Sequence, residues 1–166
     1  MTEQDLLKLL DIKPEDYNRI IIKTYSKELD NVDDLTLRCL ALDIFLRLDN
    51  INSATLNMIM KTPQVFAINI VKPIMNLLTI VLYCSDVLTI ECEDDIKRII
   101  MAHYNCLKQI IENSIDKEEQ IKKIYSVTDM IYEIESLVDQ FVFDDEDEEI
   151  FRKSANIINK ENTTIH

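Results

Sequence analysis

Arg98 and His103 are the residues of this chain whose types and spacing come nearest to a reaction centre. An arginine five positions before a histidine, with Tyr104 following, pairs a group that can grip a phosphate with one that can move protons near neutral pH. Five residues of helix turn through about 500°, which leaves the two side chains about 140° apart on the cylinder. A single chain does not converge them, whereas a second copy across a two-fold axis could. His103 also falls within the stripe Ile96, Ile99, Ile100 and Leu107, the ordinary position of a core histidine with one nitrogen satisfied.

Other chemistry is less well served. Cys39, Cys84, Cys92 and Cys106 form no C-x-x-C pair and no zinc-finger spacing, and Cys84 and Cys106 sit among apolar residues, as reduced core thiols do. Cys106 lies three residues after His103, yet on the same apolar stretch, so the two make a weak nucleophile pair. The run Asp144, Asp145, Glu146, Asp147, Glu148 and Glu149 lacks the alternating ligands and central glycine of a calcium loop. Consecutive carboxylates on a helix point around it, so the run is a solvated face or a docking site for a basic partner. Glu112 and Asp116 are one turn apart, but no E-x-x-H stands elsewhere to complete a di-iron site. No metal and no cofactor is expected.

The chain contains no glycine in 166 residues, where about a dozen is usual. Glycine lets backbone approach a phosphate and adopt positive φ. Its absence excludes the phosphate-binding P-loop, the dinucleotide fingerprint and the nucleophile elbow. The usual residue of tight β-hairpins is missing as well, which favours helices joined by Asp, Asn and Pro turns. Abundant Ile, Asn, Asp and Lys also match the bias of an AT-rich genome.

The Arg98 to His103 spacing, with Tyr104 beside it, resembles the signature of HEPN-domain ribonucleases. That resemblance implies a metal-independent, toxin-type ribonuclease of all-helical fold, in which Arg98 would bind phosphate and His103 would act as general acid or base across a dimer cleft. It covers six residues, and Ile99 stands where the family commonly has a polar residue.

The elements that must position these residues follow from apolar periodicity. Thr2 can cap a short helix carrying Leu6, Leu7, Leu9 and Leu10. Pro14 starts a second over 14–29 with Tyr17, Ile20, Ile21 and Thr24 on its stripe, and Asp30, Asn31, Asp33 and Asp34 break it and cap the next. Leu35, Leu37, Leu40, Ala41, Ile44, Phe45 and Leu48 mark the third helix, with Asn50, Asn52 and Ser53 ending it and starting a short fourth. Residues 74–85 carry no charge, as expected of a helix wrapped by others. Glu93, Asp94 and Asp95 suit a helix start, and Ile121, Ile124, Tyr125, Thr128, Ile131 and Ile134 line a segment over 117–142.

These patterns predict an all-α, compact bundle of six to nine helices around the apolar central helix 74–85. Residues 1–143 form the bundle, and 144–166 add the acidic segment, a short helix and a mobile tail to the same domain. One apolar helix among amphipathic neighbours is similar in architecture to Bcl-2-like folds, although their Gly-Arg motif is absent. A membrane span is not expected: Lys72, Pro73 and Asp86 interrupt the apolar stretch, and its twelve uncharged residues reach about 18 Å against about 30 Å of hydrocarbon.

Net charge is −13, which repels phosphate backbones and anionic lipid and would steer a basic surface inward. Met1 to Leu10 carries Glu3, Asp5 and Lys8 and no apolar core of a secretory signal, which points to the cytoplasm. The expected function is that of a non-enzymatic helical interaction domain or complex subunit, binding a protein with a basic or helical surface, with a homodimer allowed. The ribonuclease using Arg98 and His103 is the alternative.

Overall fold

The computed structural model describes the backbone of residues 1–61 and 93–139 and the side chains of 1–51 and 93–136. Five α-helices fill these stretches: α1 Glu3–Leu9, α2 Pro14–Tyr25, α3 Asp34–Lys61, α4 Glu93–Glu112 and α5 Lys117–Asp139. No strand occurs among the described residues, so the expected all-α class is found. The segment 74–85, the full helix count and the acidic run 144–149 lie outside the described residues.

The helix starts follow local chemistry: side-chain caps at α1, α3 and α5, proline at α2 and carboxylates in the first turn of α4. In α1, Thr2 accepts from the Asp5 N–H at 3.3 Å while the Asp5 carboxylate accepts from the Thr2 N–H at 2.8 Å, a reciprocal capping box. Pro14 takes the first turn of α2, where its missing N–H costs nothing. Asp33 caps α3 by accepting from the Thr36 N–H at 2.8 Å and its hydroxyl at 2.7 Å. Those bonds hold the Asp33 carboxyl below its ordinary value, because both favour the charged form. Glu93, Asp94 and Asp95 occupy the first turn of α4, and Asp116 accepts from the Glu119 N–H at 2.7 Å ahead of α5.

The ends are less expected. Helix α2 stops at Tyr25, not at 29, because the chain turns left-handed at Lys27, with φ 58°. The Lys27 N–H then donates to the Thr24 carbonyl at 3.1 Å and the Glu28 N–H to the Lys23 carbonyl at 2.8 Å. Helix α1 closes in the same way on Asp11, φ 55°, with the Ile12 N–H reaching the Leu7 carbonyl at 2.9 Å. These are Schellman closures built without glycine, at a cost of about 1 kcal/mol each for carrying a Cβ into the left-handed region.

The break expected at Asn50, Asn52 and Ser53 does not exist: α3 runs unbroken for 28 residues. Asn and Ser cost well under 1 kcal/mol each inside a helix, and neither glycine nor proline is present to stop it. Burial of Leu48 and Ile51 outweighs that preference. Seven consecutive residues, Cys39 to Phe45, are buried, which is nearly two turns. Among the described residues α3 is therefore the helix enclosed by its neighbours, with α4 its most extensive partner and α2 and α5 on its other contacts. Leu40, Leu42, Ile100, Ile124, Ile131 and Ile134 are the largest side chains fully removed from water, and each contributes about 1.5–3 kcal/mol.

Candidate functional site

Helix α4 carries both residues of the sequence-derived pair and separates them. Arg98 lies on the outer face, with 63% of its side chain exposed and an ion pair to Asp95 one turn back. His103 is only 4% exposed. Its Nδ1 lies 2.7 Å from the Ile99 carbonyl, and its ring meets the ring of Phe45 on α3 edge to face, with centroids 6.3 Å apart. Burial holds the imidazole below its ordinary pKa, and the bond to the Ile99 carbonyl acts the other way. Within one chain, then, the arginine faces solvent and the histidine faces the core.

Among the described residues, a buried network of ionisable groups stands where α2, α3 and α5 meet. Asp43 is buried, and its carboxylate accepts from the Tyr25 hydroxyl at 2.7 Å and from Arg47 Nε at 3.0 Å to both oxygens. Arg47 Nη1 reaches both oxygens of Glu135 on α5 at 2.8 Å, and its guanidinium lies 4.4 Å from the centroid of the Tyr25 ring. Burial works against the charge on Arg47, but Asp43 and Glu135 more than offset it and raise its pKa. Burial and the neighbouring Asp43 charge push the Tyr25 and Tyr17 hydroxyls well above the ordinary tyrosine value. The two hydroxyls and the guanidinium are thus all carried further from neutrality. The arrangement ties three helices together.

Sequence reasoning missed this network. The signal was present: Asp43 and Arg47 stand four apart inside an otherwise apolar stretch, Cys39 to Leu48, where a charged residue has to bring its partner with it.

Beside it, the connection after α2 is tied to α5. Lys27 Nζ meets Asp129 Oδ2 at 3.1 Å, and the Leu29 N–H donates to the Tyr125 hydroxyl at 2.9 Å. On the outer face of α5 an open depression of about 390 Å³ is lined by Lys122, Tyr125, Ser126, Asp129, Met130 and Glu133. Its charges are mixed and exposed, as on a solvated helix face.

The two described cysteines, Cys39 and Cys106, are buried and unbridged, and burial pushes the Cys39 thiol up to about 12, far from a reactive thiolate. Among the described residues no group of three or more His, Cys, Asp or Glu side chains is placed to hold a metal, and no helix is long and apolar enough to cross a membrane. Asp144 to Glu149 fall outside the described residues. No protein-family model, no curated protein and no solved structure matches this chain.

Proposed function

We propose that this chain is a non-enzymatic helical interaction domain or complex subunit, acting in the cytoplasm by binding a protein with a basic or helical surface. The observation that carries the reading is the use made of its reactive side chains. Arg47 is bound by Asp43 and Glu135 and His103 is turned inward, so both serve the packing of helices, while Arg98 is paired with Asp95 on the outer face, away from His103. Apolar side chains remain outside: Ile22, Tyr132 and Ile115 are mostly exposed, Ile115 at 94%. A net charge of −13 adds a long-range pull on basic partners, with Asp144, Asp145, Glu146, Asp147, Glu148 and Glu149 as the docking residues.

The test is co-purification of the tagged chain from cells of its source, beside a variant with Asn or Gln at all six acidic positions. A specific partner is expected with the parent chain, and its recovery should fall with the variant and with added salt. Cleavage of RNA by the purified chain, abolished in a folded His103→Ala variant, would overturn the proposal in favour of the ribonuclease.

A further inference from the structure

Helix α4 places His103 against α3 with its two nitrogens in unequal states. Nδ1 lies 2.7 Å from the Ile99 carbonyl, which can only accept, so Nδ1 carries the proton and Nε2 is left with a bare lone pair. Nε2 is buried and has no hydrogen-bond partner. A neutral imidazole tolerates this, since an unpaired lone pair in an apolar setting costs little beside an unpaired charge. A second proton would create an N–H donor and a full charge where nothing accepts either.

Among the described residues the neighbouring elements supply no counter-charge. From α3 the ring of Phe45 meets the imidazole, while Asp43 and Arg47 are bound to each other, to Tyr25 of α2 and to Glu135 of α5. On α4 itself, Arg98 is held by Asp95, Lys108 pairs with Glu112 and lies over the Tyr104 ring, and Cys106, one turn on, is buried. On α5, Lys123 pairs with Glu119 and Lys122 with Glu118. The charge state of His103 is governed by burial and by the Ile99 carbonyl.

We propose that His103 is an acid-sensitive latch between α3 and α4: protonation of its buried Nε2 releases the contact, so the helix pair is closed at neutral pH and loosens in mildly acidic surroundings. The sign follows from linkage. The folded state binds this proton more weakly than the opened state, whose imidazole titrates near 6.5, so the contribution is complete above about pH 7 and is lost as pH falls below 6.5. The opening equilibrium rises between pH 7.5 and 5 by as much as about 30-fold, the limit reached when the closed form binds no proton at all. Ordinary carboxylates titrate mostly below that window.

The chain has two histidines, His103 and His166, so ring resonances are readily assigned by NMR. The His103 ring in the folded chain is expected as the Nδ1–H tautomer, titrating below 6.5. Amide exchange in α4, corrected for its intrinsic pH dependence, should rise several-fold, up to about 30-fold, from pH 7.5 to 5 in the parent chain and stay nearly flat in His103→Leu. A His103 midpoint at or above 6.5 in the folded chain, or equal pH dependence in parent and variant, overturns the latch. Should the variant fail to fold, the parent's ring titration still decides the matter.

Discussion

Where α3 meets α2 and α5, Asp43 and Arg47 reach across to Tyr25 and Glu135 through directional bonds. Where it meets α4, buried apolar side chains close around an imidazole with one nitrogen unused. The first flank is costly to assemble, because two carboxylates and a guanidinium leave water, and the attraction returns about what desolvation takes. Its gain is register: Arg47 satisfies both carboxylates only when α5 stands at one height against α3. The second flank gains its stability from buried area and close packing. A single helix thus has one neighbouring surface that specifies position and another that supplies cohesion.

The contrast breaks most severely on the ionic side. Asp43→Ala leaves the Tyr25 hydroxyl and Arg47 Nε without their partner in a half-buried place, with Glu135 alone facing the guanidinium, and urea unfolding followed by circular dichroism should show a loss of about 3 kcal/mol. Replacing Asp43, Arg47 and Glu135 together by Leu, Met and Leu should restore most of that loss, because no charge is then left unpaired. If the single variant cost under about 1 kcal/mol, the network would be behaving as a surface pair, and the distinction between flanks would fall.

On the apolar side, Ile100→Ala removes a side chain that is 1% exposed and should cost about 2–4 kcal/mol in the same measurement. Here no compensating second change is expected to help, since what is lost is contact area. Recovery of stability by a charge substitution would blur the comparison.

The smallest effect concerns neither flank and serves as a baseline. Asp11→Gly relieves a left-handed residue whose side chain is exposed, and should raise stability by about 0.5 kcal/mol, or about 1–2 °C in Tm. A loss instead would mean that the closure of α1 carries no strain.

Helix existence, the starts at Thr2, Pro14 and Asp33, and most buried positions of α2, α4 and α5 were legible in the sequence, because capping chemistry and apolar spacing are local. The continuity of α3 past Asn52 was not, since the buried contacts of Leu48 and Ile51 override weak local preferences. The inward turn of His103 was legible from Ile96, Ile100 and Leu107. The unused state of its Nε2 was not, because it depends on what α3 brings opposite. For Asp43 the pattern offered Arg47 one turn away, but Tyr25 and Glu135 lie 18 and 92 positions distant and only folding assembles them.

Lys27 holds a conformation that suits glycine better, yet its ammonium group also grips Asp129 across the gap to α5. Among the described residues the Asp11 side chain makes no such tie. Of two equivalent knots in the backbone, one can be eased without forfeiting anything, and the other trades local comfort for a fastening between distant parts of the chain. Anyone seeking a hardier version of this molecule has a first substitution to make, and a second to leave alone.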